Sequence, residues 1–175
     1  TMLVTGGSLG SLSINKSLVA ALSELLPEMQ IIHITGTFTW PQFENVGSEI
    51  GAELAENYRG YPYLHAEMGA AFTIADLVLS RAGASSIGEY PHFGIPAILA
   101  PYPYAWRYQM VNAKYLVRNN AAVILEDAEM PQKLLPLVRD LMRDHGRRHE
   151  MKTAMQSLAR PEAANAIAAL TIELA

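Results

Sequence analysis

The chain has 175 residues, which fits a single domain spanning residues 1–175. Half of its residues are hydrophobic, 17% are charged and the formal net charge is -4, which argues against nucleic acid as a partner. There is no cysteine, so disulfide bonds are excluded, and no apolar stretch approaches the ~18 residues that span a bilayer.

Strand-like and helix-like segments alternate along the chain, which predicts an α/β fold with a parallel sheet. The predicted strands are residues 1–5, 29–35, 61–64, 77–79, 97–100 and 122–125. Predicted helices begin near Leu12, Met68, Ala84, Tyr108, Pro131, Arg147 and Pro161, and residues 38–57 are predicted as a loop followed by a helix. Because the chain starts inside a predicted buried strand, we expect that a preceding domain is missing.

Ligands of open α/β sheets bind at the carboxyl ends of the strands, so four loops are candidate binding loops. They are residues 6–11, 64–68, 81–86 and 101–109. The first of these, Gly-Gly-Ser-Leu-Gly-Ser, joins the first strand to a helix. Glycines allow close approach to a ligand, and the helix N-terminus behind them favours an anion. We therefore predict a phosphate or diphosphate site at this glycine turn.

Other interpretations of the glycine turn remain open. A P-loop would need Gly-Lys-Ser/Thr, and a dinucleotide fingerprint would need an acidic residue after the second strand; the chain has neither. Residues 6–10 match the G-x-S-x-G nucleophile elbow, which would make Ser8 the nucleophile of an α/β-hydrolase. A tight turn without a ligand, as in a non-catalytic domain, is the plainest alternative. Only five residues precede the turn, whereas the elbow follows several strands, so the sequence favours the phosphate site.

A second turn, residues 81–86, also opens a helix. Ser85 and Ser86 can cap this helix or bind a phosphate. Glu89 lies one turn further along, where its carboxylate can accept hydrogen bonds from a ribose diol. The alternative is a capping box formed by Ser86 and Glu89. One nucleotide contains both a diphosphate and a diol, so two such turns at one sheet edge favour a nucleotide site.

Several segments, in the same order, resemble motifs of the MurG family of UDP-N-acetylglucosamine transferases. They are residues 6–11 with Asn15 (GGSxGAxxxN), His33 with Gly36 (HxxG), Met68 with Ala70 and Ala71, residues 80–86 with Glu89 (SRAGAxT), residues 94–103 (GLPAILVPYP), and Gln109 with Asn112 and Ala113. This resemblance covers nearly the whole chain. It implies the C-terminal, donor-binding domain of a two-domain GT-B glycosyltransferase, with a Rossmann-like parallel sheet and helices on both faces.

The resemblance also implies the residues that hold the UDP-sugar. They are Gly7, Ser8 and Gly10 in the glycine turn, Gly83, Ala84, Ser85 and Ser86 in the second turn, the backbone at His65 toward uracil, Glu89 at the ribose, and Gln109 at the sugar hydroxyls. It implies no cofactor and no catalytic residue in this domain.

The partners implied by the resemblance are UDP-N-acetylglucosamine, an N-terminal domain and a lipid-linked muramyl-pentapeptide acceptor held by that domain. The implied role is the step from lipid I to lipid II in peptidoglycan synthesis, at the inner face of the cell membrane. Thr37 stands where the family usually has lysine, and Tyr108 where it often has glutamine or histidine. A related glycosyltransferase with another UDP-sugar or a glycolipid acceptor therefore stays an alternative.

Two groups of side chains are candidate metal ligands. His145 and His149 are four residues apart and could share a helix face, although Gly146 favours a solvated turn. Residues 126–129 (Glu-Asp-Ala-Glu) resemble a metal loop only loosely and are predicted to begin a helix. Because no Asp-x-Asp motif occurs, we expect UDP to bind without a metal.

Overall fold

The computed structural model of the protein describes residues 1–104 and 108–174. In this part of the chain the strands are Met2–Thr5 (β1), Ile31–Ile34 (β2), Tyr58–Tyr61 (β3), Leu77–Ser80 (β4), Ala97–Leu99 (β5) and Ala122–Ile124 (β6). The α-helices are Leu12–Leu25 (α1), Val46–Glu49 (α2), Ala52–Ala55 (α3), Met68–Ile74 (α4), Ser86–Phe93 (α5), Tyr108–Arg118 (α6), Met130–Arg143 (α7), His145–Ser157 (α8) and Ala163–Glu173 (α9).

The strands form one parallel sheet in the order β3-β2-β1-β4-β5-β6, which is the strand order of a Rossmann-like fold. The predicted α/β class and parallel sheet are confirmed. The direction in which strands are added reverses between β1 and β4, which makes their carboxyl ends the topological switch point. Folds of this kind bind their ligands in the crevice at this point.

Alternating side chains of β1 explain why helices cover both faces of the sheet. Met2 and Val4 pack with α1 and α7 on one face, and Leu3 packs with α4, α5 and α6 on the other. All three side chains are fully buried. A strand that buries both faces requires helices on both sides, as in other parallel sheets.

The third strand was placed wrongly by the sequence prediction. Residues 61–64 were predicted, whereas β3 begins at Tyr58 and ends at Tyr61. Tyr58 pairs with Ile31 of β2, and its ring is buried against β2 and α2. The predicted loop and helix of residues 38–57 contain two helices of four residues each, α2 and α3.

Within residues 1–104 and 108–174, no helix has both the length and the apolar character that crossing a membrane would require.

Candidate functional site

The two turns singled out in the sequence lie side by side at the switch point of the sheet. The glycine turn, residues 6–11, follows β1, and the second turn, residues 81–86, follows β4, the neighbouring strand. Each turn opens a helix, α1 and α5 respectively. The parallel strands therefore bring two helix N-termini to one edge of the sheet.

The glycine turn is held from behind by the end of β2. Gly10 has φ of +89°, a conformation that glycine adopts readily. A side-chain carbon at this position would overlap the carbonyl oxygen of Thr35 and the hydroxyl of Thr39. The backbone N–H and the hydroxyl of Thr37 both donate to the carbonyl of Ser8, at 3.0 and 3.1 Å. These contacts fix the height of the turn above the sheet.

A buried polar network lies beneath this contact. The Asn15 side-chain amide donates to Thr35 O at 2.8 Å and to the Thr39 hydroxyl at 3.1 Å. Its Oδ1 is therefore the atom that faces His33 Nε2, at 3.1 Å, so Nε2 carries the proton. His33 Nδ1 then accepts from the Tyr58 hydroxyl at 2.8 Å. His33 thus supports the turn from the core and is not positioned to contact a ligand.

Burial lowers the pKa of His33 from 6.5 to about 3, so the folded state keeps this side chain neutral. The unfolded chain binds a proton there below about pH 6.5 and the folded chain does not. Stability contributed by the neutral ring is therefore fully present above pH 6.5 and is lost as the pH falls toward 3. We expect the free energy of unfolding to drop by about 2 kcal/mol between about pH 7.5 and about pH 5 from this group alone.

The test compares urea unfolding of the wild type and His33→Gln across this pH range. The variant keeps a neutral hydrogen-bonding side chain, so its unfolding free energy should fall by about 2 kcal/mol less over the same range. His92→Gln, at an exposed position, is the matched control and should keep the wild-type slope. Equal slopes for wild type and His33→Gln would refute the assignment.

The second turn does not form the capping box that was weighed as an alternative. Ser86 Oγ donates to the carbonyl of Gly83 at 2.5 Å, and α5 has no side-chain cap. Ser86 is buried, whereas Ser85 and Glu89 are exposed. Among the described residues the carboxylate of Glu89 has no hydrogen-bond partner, so in this part of the chain it is open to solvent or a ligand.

Backbone amides of both turns are available for an anion. Within residues 1–104 and 108–174, the N–H groups of Ser8, Ala84 and Ser85 have no protein acceptor. These amides precede the helices α1 and α5, whose dipoles add partial positive charge. The arrangement suits a ligand with two linked phosphates.

A cleft of about 380 Å³ lies between the two turns. The predicted site residues that line it are Gly7, Ser8, Gly83, Ser85, Ser86, Glu89 and Gln109. A second cleft, on the other side of the glycine turn, shares Gly7, Ser8 and Gln109 with it. The structure thus brings most of the predicted residues into one crevice, although whether they bind a nucleotide stays a prediction.

Three predicted residues lie outside the lining of the first cleft. Gly10 packs against Thr35 and Gly36, directly after β2, and borders the second cleft. Ala84 is exposed at the start of α5. His65 is exposed, and its ring lies edge-on to that of Tyr63, with centroids 4.7 Å apart. Tyr63 itself lines the cleft, so His65 contacts a residue of the cleft lining without being part of that lining.

Gln109 has one hydrogen bond that the sequence did not reveal. Its Oε1 accepts from the backbone N–H of Tyr102 at 2.8 Å, which ties the start of α6 to the loop after β5. The side-chain NH₂ remains as the donor toward the cleft. Residues 105–107, in the middle of the predicted binding loop 101–109, lie outside the described residues.

Sequence reasoning missed two parts of the site. Tyr63, Met68 and Phe72 form an apolar end of the cleft, and only Met68 had been noticed, as part of a motif. The other part is the ion pair between Arg81 and Asp127. In the sequence Asp127 stands out only as part of a segment that loosely resembles a metal loop, whereas in the structure its carboxylate faces the guanidinium of Arg81. Pairing across 46 residues leaves no signal in a single sequence.

The geometry argues against a Ser8 hydrolase. Ser8 does not adopt positive φ, whereas a nucleophile elbow is a strained turn. Within the described part of the chain, the hydrogen bonds of Ser8 are those that its backbone carbonyl accepts from Thr37, and none joins its hydroxyl to a histidine or a carboxylate. The same residues contain no group of three His, Asp or Glu side chains that could hold a metal ion.

Comparison with known proteins identifies the family to which the chain is similar. Residues 1–167 match the glycosyltransferase family 28 C-terminal domain. Two curated relatives carry the description UDP-N-acetylglucosamine–N-acetylmuramyl-(pentapeptide) pyrophosphoryl-undecaprenol N-acetylglucosamine transferase. The relative from Roseiflexus sp. is 37% identical over 97% of this chain, and the relative from Chlorobaculum parvum is 39% identical over 99% of it.

A solved structure shows the same architecture. The crystal structure of MurG from Acinetobacter baumannii has a TM-score of 0.82, with 30% identity over 97% of this chain. The match covers 48% of that protein. Our chain spans 43% and 47% of the Roseiflexus and Chlorobaculum relatives, so it matches less than half of their length.

Proposed function

This chain belongs to the family of glycosyltransferase family 28 C-terminal domains, and we propose on that basis that it is the donor-binding half of a MurG-type N-acetylglucosamine transferase. The proposed donor is UDP-N-acetylglucosamine. The proposed reaction transfers its sugar to a lipid-linked muramyl-pentapeptide, the step from lipid I to lipid II in peptidoglycan synthesis. The names of the relatives support both substrates.

The meeting of two helix-opening turns at the switch point is the observation that carries this proposal. The two turns line one cleft, and they direct free amides of Ser8, Ala84 and Ser85 to the same edge of the sheet. We assign the diphosphate of the donor to these amides and to the hydroxyls of Ser8 and Ser85. Glu89 lies one helical turn further along the same cleft and is assigned to the ribose hydroxyls.

Once the diphosphate and the ribose are placed, the uracil and the sugar of the donor can be assigned to other residues that line the two clefts. The apolar end of the cleft, with Tyr63 and Met68, is assigned to the uracil, next to the backbone of His65. Gln109 borders both clefts and keeps its NH₂ group free of Tyr102, so it is assigned to the sugar hydroxyls. Gly10 is assigned a supporting role because its contacts lie behind the turn.

These residues can stabilise the leaving group of the reaction. As the bond between the sugar and the diphosphate breaks, negative charge grows on UDP, and amides at two helix N-termini are already oriented toward it. An inverting transfer also needs a base for the acceptor hydroxyl and a means of aligning the acceptor. We propose that an N-terminal domain supplies both and that the whole enzyme is peripheral at the inner face of the membrane. The length of the relatives supports that second domain.

Because the acceptor base is assigned to another domain, we expect this chain alone to bind UDP-N-acetylglucosamine without transferring the sugar. Purified chain would be incubated with the donor and a lipid I analogue while UDP release is monitored. The expected result is no acceptor-dependent release beyond trace hydrolysis. Release at about 1 s⁻¹ or faster, an ordinary enzymatic rate, would place a complete active site within these 175 residues.

A related enzyme with a different UDP-sugar is the second candidate. The observation that favours it is Tyr108, which is exposed beside Gln109 at a position where the family often has glutamine or histidine. Competition of UDP-N-acetylglucosamine and UDP-galactose against UDP separates the two candidates. The first predicts that the N-acetyl sugar competes better.

A further inference from the structure

The side chain of Arg81 lines both clefts, and its guanidinium hydrogen-bonds to four residues from three segments of the chain. Its Nη1 donates to Ala100 O, after β5, at 3.0 Å and to Asp127 Oδ1. Its Nη2 lies 3.0 Å from Asp127 Oδ2, 2.8 Å from Ser11 Oγ and 2.9 Å from Ser13 Oγ, so these three acceptors share its two N–H groups. The Arg81 side chain is only 11% exposed.

These partners belong to the elements that build the proposed donor site. Ser11 is the last residue of the glycine turn and caps α1, since its Oγ accepts from Ile14 N. Arg81 itself begins the second turn, immediately after β4. Its guanidinium carbon also lies 5.1 Å from the centre of the Tyr102 ring, in the loop that Gln109 holds. The side chain of Arg81 therefore connects the glycine turn, the second turn and the loop after β5 to which Gln109 is hydrogen-bonded.

Arg81 could bind a phosphate directly, or it could hold the two turns in position. The acceptors that its N–H groups already engage distinguish these two roles. A guanidinium has four terminal N–H donors, and the protein acceptors above engage both terminal nitrogens. Arg81 borders the cleft, but it would have to release a protein partner before either terminal nitrogen could bind a phosphate. Its positive charge is also paired with Asp127 by two parallel hydrogen bonds. Direct phosphate binding through the terminal nitrogens is thus disfavoured.

We propose that Arg81 and Asp127 form a positioning clamp that holds the glycine turn and the second turn at the spacing a diphosphate requires. The assignment of the ligand rests on the proposed function, whereas the clamp itself does not. Ser13 completes the clamp because its hydroxyl accepts from Arg81 and donates to Asp127 Oδ2 at 2.9 Å. Asp127 acts through Arg81, from the turn that follows β6.

Asp127→Asn gives opposite results for the two roles. If Arg81 bound the diphosphate directly, removal of the competing carboxylate would free its charge and strengthen UDP binding. The clamp predicts that the turns lose their spacing and that UDP binds about tenfold more weakly, the equivalent of one charge-assisted hydrogen bond. Uridine, which lacks the diphosphate, should keep its affinity. A general loss of structure would weaken both ligands together.

The control variant is Asp140→Asn, which makes the same change in the exposed ion pair with Arg147, between α7 and α8. It should leave both affinities unchanged. Ser13→Ala is a milder second variant that keeps both charges of the clamp, in case Asp127→Asn folds poorly. It should change UDP affinity in the same direction as Asp127→Asn, by a smaller factor.

Amide hydrogen exchange without ligand tests the clamp independently of the donor. Exchange at residues 6–14 and 81–89 should accelerate in Asp127→Asn and Ser13→Ala but not in Asp140→Asn. Unchanged exchange in both turns, or tighter UDP binding by Asp127→Asn, would overturn the clamp. If the wild type binds no UDP, the proposed function fails, while the exchange result still decides whether the clamp exists.

Discussion

Replacing Gly10 with alanine is expected to lower the free energy of unfolding by about 2–5 kcal/mol and, through lost hydrogen bonds to the diphosphate, to weaken UDP binding by about tenfold to a hundredfold. Gly10 has φ of +89°, which costs an alanine about 1–2 kcal/mol. The added methyl would also overlap Thr35 O and the Thr39 hydroxyl, so the turn must move away from β2. A glycine turn displaced in this way no longer presents its amides to the diphosphate.

Gly7→Ala is the matched control for the stability part of this prediction. Gly7 has nearly the same φ, +88°, but a methyl group there meets no atom within 4 Å. Its cost is therefore limited to backbone strain, about 1–2 kcal/mol. Urea unfolding of both variants measures the difference. If the two substitutions cost the same, the packing of Gly10 against β2 does not hold the turn.

Glu89→Ala is expected to weaken UDP binding by about tenfold to a hundredfold. The carboxylate is exposed at the cleft, where we assign it to charge-assisted hydrogen bonds from the ribose, worth about 1.5–3 kcal/mol. Because Glu89 forms no capping box with Ser86, the thermal stability of the variant should stay close to that of the wild type. Calorimetric titration and thermal melting of the same preparation measure both quantities.

Glu49→Ala serves as the control for charge, since Glu49 is an exposed acidic residue in the first turn of another helix, α2. Its UDP affinity should equal that of the wild type. A Glu89→Ala variant with unchanged affinity and a lower melting temperature would instead make Glu89 a structural residue of α5.

Much of the site could be predicted from the sequence because it depends on residues that are close together in the chain. Residues 6–11 and 81–86 each combine a preceding apolar strand with glycine or serine at a helix start, and parallel strands bring such turns to one edge. The topology then makes β1 and β4 neighbours, which the sequence alone did not reveal. That pairing converts two separate anion-binding turns into one cleft.

What the sequence did not predict depends on contacts between distant residues. Tyr58 begins β3 because its hydroxyl reaches His33 and its backbone pairs with Ile31, and neither partner is local. The Arg81–Asp127 pair is equally non-local. The capping box failed for a different reason: Ser86 Oγ donates to the Gly83 carbonyl, a competing local acceptor with no signature of its own.

Titration of UDP into the purified chain, in buffer with EDTA and again with Mg²⁺, tests the central claim most directly. The diphosphate is assigned to backbone amides at two helix N-termini, whose partial positive charge stabilises an anion, so no metal is required to bind it. The account predicts saturable binding at UDP concentrations below about 1 mM, with affinities that agree within about twofold in the two buffers. UDP-N-acetylglucosamine should compete for the same site. Absence of saturable binding, or binding that EDTA abolishes, would contradict the account.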